Sequence, residues 1–211
     1  MTNQIEVLTH SSIRIHSTAG TLYIDPYQIR ETTNDADMIF ITHDHYDHYS
    51  PEDIKKVIGE KTCLIVPEKM AKTVTADFGR NTITVVRTGE SYTVNGLSFE
   101  TVPAYNLLKP FHPRKSGWCG YVLNTDDSRV YIAGDTDATK EANSVTCDIA
   151  MVPIGGTFTM DARKAAELIN HIKPSVAIPI HYGSVVGKPE DAEVFKRNVD
   201  SSIQVEIKMI F

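Results

Sequence analysis

Ile41-Thr42-His43-Asp44-His45-Tyr46-Asp47-His48 is the stretch around which the 211-residue chain is organised. It holds three of the chain's eight histidines, together with two carboxylates. An apolar run, Met38-Ile39-Phe40-Ile41, leads in, and Ser50-Pro51-Glu52-Asp53 follows as a helix start. The pattern reads as a strand ending in a ligand-bearing loop. In extended backbone, side chains two apart share a face, so His43 and His45 can grip one ion. Asp47 and His48 come after the chain turns and can face a second ion. Imidazole and carboxylate together suit zinc, with iron or manganese as the other fits. The plain alternative is a polar surface loop, and the concentration of histidines speaks against it.

Working outward, 211 residues suffice for one domain with a sizeable core. A composition of 41% hydrophobic and 23% charged residues is that of an ordinary globular protein. No apolar run approaches the ~20 residues of a membrane span. The first residues have neither the basic nor the apolar region of a signal peptide. The three cysteines, Cys63, Cys119 and Cys147, lie far apart and form no C-x-x-C pair. They fit buried thiols in a reducing cytoplasm better than disulfides. A net charge of -6 gives no general attraction to nucleic acid.

Periodicity then predicts the elements. Alternation around 5–8, 13–15 and 21–24 reads as short strands. Ser50 as N-cap with Pro51 at the first turn predicts a helix to about residue 58. An apolar strand follows at 63–66, and Pro67 opens a helix through 76. Strands are expected at 83–86, 91–94 and 97–102, the last two joined by the Asn95-Gly96 turn. Others are expected at 118–123 and 129–133, across a turn at 124–128, and at 149–152. An amphipathic helix fits 161–172. A strand at 176–180, a helix at 189–198 and a strand alternating over 203–211 complete the chain. By pattern alone the fold is mixed α/β, without repeats or linkers.

Two further strand ends carry chemistry. Gly134 allows close backbone approach and presents Asp135, although an acidic turn after a strand is also common. Ile178-Pro179-Ile180-His181-Tyr182-Gly183 ends a buried strand in a histidine, which a purely structural hydrogen bond would also explain.

Together these motifs resemble the metallo-β-lactamase superfamily. His43-Asp44-His45-Tyr46-Asp47-His48 is similar to its H-x-H-x-D-H motif, Gly134-Asp135-Thr136 to the segment of its bridging aspartate, and His181 to its last histidine. Within the superfamily the chain is most similar to the UPF0173 metal-dependent hydrolases, related to L-ascorbate-6-phosphate lactonases. His10-Ser11-Ser12, Ile24-Asp25-Pro26 and the segment from Pro153 to Met160 carry this too. The resemblance implies one domain over 1–211 with an αββα four-layer sandwich. It also implies two ions, one on His43, His45 and a third ligand, one on Asp47, His48 and His181, with Asp135 between.

The family has a histidine just after the middle strands, where this chain reads Val102-Pro103-Ala104-Tyr105-Asn106. His112, folded back by its loop, is the preferred replacement. Asn106 through its oxygen, or water, are the other readings. Asp25 is expected to orient a ligand histidine through its second nitrogen. His10 is expected to line the pocket or to be structural. Thr157, in a Gly-rich turn, and Tyr182 are expected on the substrate side. His16 and His171 receive no role.

The chemistry implied is a hydrolase using a metal-bound hydroxide on a small ester, lactone or phosphate-containing metabolite, with Asp47 and Asp135 handling the proton. The competing readings are a phosphodiesterase or nuclease of the same superfamily, and a metal-binding regulatory module without turnover. The expected partner is a small molecule in the cytoplasm, with neither membrane nor nucleic acid. Homo-oligomerisation is left open.

Overall fold

The computed structural model describes residues 2–126 and 128–211. The chain starts with an antiparallel meander, β1 (Ile5–Thr9), β2 (Ser12–Ser17) and β3 (Gly20–Ile24), and continues into β4 (Ala36–Phe40). Helix α1 (Pro51–Val57) leads directly into β5 (Ile58–Pro67). Helix α2 (Ala71–Phe78) leads to β6 (Thr82–Val86). These six strands form one sheet in chain order, antiparallel from β1 to β3 and parallel from β3 to β6.

The second half repeats the plan. Strands β7 (Ser91–Val94), β8 (Leu97–Pro103), β9 (Cys119–Thr125) and β10 (Ser128–Ile132) are antiparallel. After the short helix α3 (Lys140–Asn143) come β11 (Ile149–Pro153), α4 (Ala162–Ile172), β12 (Val176–Ile180), α5 (Asp191–Asn198) and β13 (Gln204–Val205). Strands β10 to β13 are parallel, so the second sheet has seven strands in the order β13 to β7.

The two sheets bury their facing sides against each other. Phe40 of the first sheet lies edge-on to Phe99 and Tyr121 of the second, each with ring centres 5.1 Å apart. Strand β4 is apolar on both faces because both are covered. Met38 and Phe40 enter the core between the sheets, while Ile39 joins Ile54, Val57 and Val74 under α1 and α2. Helix α4 buries Ala162, Ala165, Ala166 and Ile169 on the far side of the second sheet. The result is the expected αββα order, and no helix among the described residues is long and apolar enough to cross a membrane.

Helix α1 starts as its sequence dictates. The Ser50 side chain accepts from the Asp53 amide, and Pro51 fills a first-turn position that needs no N–H. Asp53 also accepts from the backbone of Gln28 and Ile29 at 2.8 and 3.0 Å, tying the segment after β3 to the helix that follows the histidine loop.

Two expectations need correction, and a third falls partly outside the described residues. The helix expected over 67–76 is a 3₁₀ turn at Glu68–Met70 followed by α2, and α3 was not anticipated. The turn expected over 124–128 includes Asp127, which lies outside the described residues. The terminal strand expected over 203–211 pairs only at Gln204 and Val205. Its neighbour β12 explains this. The Ala177 carbonyl faces β13 and accepts from the Glu206 amide. Residue 179 faces the same way, but Pro179 has no N–H to extend the ladder.

Candidate metal centre

The site lies outside the carboxyl ends of β4, β10 and β12, on one edge of the sandwich. β4 runs into Thr42 and His43, β10 into Asp135, and β12 into His181. Gly134 has φ +63°, the left-handed turn that swings the chain from β10 to Asp135, and a Cβ there would sit 3.2 Å from that of Thr42. Three non-glycine residues of the site, His10, Asp25 and His181, also have positive φ, at 44°, 46° and 57°. Such backbone is costly and concentrates where side-chain placement matters.

Two clusters result. His43, His45, His112 and Asp135 offer ligand atoms that all lie within 4.8 Å of one another, and so do His10, Asp47, His48 and His181. Asp135 links them. Its Oδ1 is 3.3 Å from His48 Nε2, and its Oδ2 is 3.3 Å from His112 Nε2 and 3.2 Å from His181 Nε2. Asp47 Oδ2 lies 3.6 Å from His181 Nε2 and 3.8 Å from His48 Nε2.

The histidines are held by their other nitrogens. Asp25 accepts from the Thr42 amide and hydroxyl at 2.8 and 2.6 Å, and lies 2.7 Å from His48 Nδ1. The Thr42 hydroxyl, having donated to Asp25, is 2.9 Å from His43 Nδ1 and accepts from it. One carboxylate thereby turns both imidazoles so that Nε2 points into the site. Asn106 does the same for His112, because its Oδ1 accepts from both the His112 amide and Nδ1 at 3.1 Å. The loop does fold back: the Asn106 amide donates to the His112 carbonyl at 2.8 Å. Asn106 therefore lies behind His112, with its own amide group donating to the Phe158 carbonyl.

The donor atoms fit transition-metal ions. His48 Nε2, His112 Nε2, His181 Nε2 and Asp135 Oδ1 are buried without a hydrogen-bond partner. An unpaired buried polar atom costs about 1–3 kcal/mol. Four such atoms converging on one centre are instead satisfied together by cations, and nitrogen with carboxylate oxygen is a transition-metal donor set.

Protonation differs across the site. Burial and the neighbouring His48 push His43 well below the ordinary histidine value, and burial lowers His45. Burial also lowers His48 and His181 taken alone, but Asp135 beside them outweighs it and both end raised. Burial would raise Asp47 and Asp135, yet the surrounding histidines hold both below the usual carboxylate range.

Other expected residues lie further out. Thr157 is exposed on the turn after β11, where Gly155 bridges to Asp161. Tyr182 is buried and packs edge-on against Phe211, with its hydroxyl unpaired. One residue escaped sequence reasoning. Trp118, at the entry to β9, sets its ring 5.2, 4.9 and 5.5 Å from those of His43, His45 and His112. Only its being the sole tryptophan set it apart in the sequence.

This arrangement can be set beside known proteins. The beta-lactamase superfamily domain matches residues 4–181. The chain belongs to the metallo-β-lactamase superfamily. A UPF0173 metal-dependent hydrolase of Pyrococcus horikoshii is 28% identical over 97% of this chain and 95% of its own. The crystal structure of a metal-dependent hydrolase from Parabacteroides distasonis superposes with a TM-score of 0.81 at 30% identity, covering 98% of this chain and 93% of that one. A diiron β-hydroxylase from Streptomyces venezuelae, CmlA, has the same fold at 14% identity, with a TM-score of 0.73 over 97% of this chain and 52% of its own. The chain is a metal-dependent hydrolase of this superfamily.

Proposed function

We propose that the chain, as one domain over 1–211, hydrolyses a small ester, lactone or phosphate-containing metabolite with two zinc ions. His43, His45 and His112 hold one ion, Asp47, His48 and His181 hold the other, and Asp135 serves both. The single observation that carries this is the pair of buried clusters joined through Asp135, with unpaired Nε2 atoms turned inward. Zinc is favoured by the histidine-rich donor set, with manganese and iron as the alternatives.

When bound, paired ions supply water activation near neutral pH and polarise the scissile oxygen. The residues do the rest. Asp47 and Asp135 are ionised acceptors that orient an attacking water and receive its proton. Asp25 and Asn106 keep three imidazoles in one tautomer, so the donors need no reorganisation when substrate arrives. Trp118 shields the His43, His45 and His112 side from solvent. The net charge of -6 disfavours a nucleic-acid substrate, and three free, buried cysteines fit a reducing cytoplasm.

The test is a hydrolase screen over esters, lactones and phosphodiesters, run on zinc-loaded chain and on the same chain after chelation. A zinc-dependent turnover of an ester, lactone or phosphate ester that Asp135→Ala abolishes is expected. Full metal loading with no turnover across the screen would argue for a binding module instead.

A further inference from the structure

Within the cluster of His10, Asp47, His48 and His181, His10 is the one histidine whose ring nitrogens both have partners. Its Nε2 lies 3.2 Å from Asp47 Oδ2, and its Nδ1 lies 3.2 Å from the Ser184 hydroxyl. His48, His112 and His181 each leave Nε2 unpaired instead. The difference sorts imidazoles that lack a partner from one that already has two. If the Ser184 hydroxyl donates to Nδ1, the proton of the neutral ring sits on Nε2 and points at Asp47. The acceptor is the same Asp47 oxygen that faces His48 and His181.

The backbone shows how much the fold gives up to place this ring. His10 occupies the tight turn between β1 and β2 with φ +44°, where glycine or asparagine would be less strained. Its carbonyl accepts from the His181 amide at 2.9 Å, and its ring packs 4.0 Å from the His181 ring. The side chain is fully buried. A buried imidazole in strained backbone, hydrogen-bonded to a site carboxylate, calls for a role in the site.

Resting on the two-ion reading above, we propose that His10 is a positioning residue: it donates from Nε2 to Asp47 Oδ2 and sets the affinity of the Asp47, His48 and His181 site without ligating the ion itself. Loss of such an outer partner weakens metal binding by about 10–100-fold. The nearby alternative, His10 as a fourth ligand, makes a different forecast for substitutions that keep or delete the N–H.

Glutamine and methionine have similar volume and the same penalty at positive φ, but only glutamine keeps an N–H that reaches Asp47. Zinc dissociation constants are measured on the full-length native chain, His10→Gln and His10→Met by competition with a chromophoric chelator. The expected result is two constants for the native chain. His10→Met should lose about 10–100-fold on one of them and leave the other unchanged. His10→Gln should stay close to native on both. Cobalt-loaded samples should show the His10→Met change confined to one of two absorption components. Native-like constants in His10→Met overturn the proposal. So does equal loss in both variants, which is the mark of a ligand, and so does equal loss at both sites, which is the mark of general packing. Should His10→Met fail to fold, His10→Gln decides alone, since a lost ligand predicts the full loss and a retained donor predicts none. A native chain that takes up no zinc defeats the functional reading instead, whereas a two-ion native chain indifferent to residue 10 defeats only this one.

Discussion

In the first cluster His45 is only half-buried, and His112 is carried by the long segment between β8 and β9. Asp47, His48, His181 and His10 are buried, and two of the four stand on left-handed backbone. His10 is pushed down by burial to about 4, but the other four shifted histidines divide by cluster. In the first cluster His43 and His45 are pushed below the ordinary histidine value, while in the second His48 and His181 are raised by Asp135. The lesson is a division of labour. The second cluster is fully buried and acid-compensated, and the first is more open at His45 and depends on the segment that carries His112.

The change expected to do most damage is the one that removes the link. Asp135→Ala should abolish turnover and lower metal content toward one ion or none, measured by elemental analysis and the hydrolase assay. Asp137→Ala should be far milder, and equal effects would show that the shared carboxylate has been misassigned.

The next test separates the clusters. His112→Ala should remove the first ion under mild chelation and keep the second, with metal content falling toward one per chain. Loss of both ions together would contradict the division. Asn106→Ala should act in the same direction and less strongly, by about tenfold in first-site affinity, because it removes only the partner of His112 Nδ1. A silent Asn106→Ala would mean that the loop alone orients the imidazole.

Protons sharpen the comparison further. Ligand imidazoles must be neutral, so metal and proton compete. A histidine whose value is raised binds its proton at higher pH than one whose value is lowered. As pH falls, the affinity of the second site should therefore weaken sooner and more steeply than that of the first. Calorimetry in buffers of different ionisation enthalpy should show net proton release, mostly with the second ion. Uptake of both ions without proton release would refute the assigned directions.

The smallest expected effect is that of Asp137→Ala on the loop. Asp137 accepts from the Leu107 amide at 2.9 Å and from Lys109 at 2.8 Å, pinning the segment that ends in His112. A partly exposed contact of this kind is worth about 1 kcal/mol or less. A few-fold drop in first-site affinity, with the second site untouched, is the expected reading from chelator competition.

How legible the site was follows from the same geometry. Ligands at strand ends could be read because strand period and apolar runs show in sequence, as with His43 after 38–41 and His181 after 176–180. His112 could only be preferred, since its approach depends on hydrogen bonds between Asn106 and His112 that loop sequence does not encode by periodicity. The pairing of His10 with Asp47 brings residues 37 apart together through a strained turn, and no local pattern marks that. Trp118 was invisible as a site residue because its position follows from where β9 begins beside Thr42. The αββα order was available through the resemblance, while the short pairing of β13 was not, because the alternation over 203–211 says nothing about Pro179 on its neighbour.

Metal stoichiometry tests the central claim most directly. Full-length chain is loaded with zinc, freed of loose metal by gel filtration and analysed for zinc and protein together. The account predicts two ions per chain, falling toward one in His112→Ala. No retained zinc, manganese or iron in the native chain, or native content unchanged in Asp135→Ala, would contradict it.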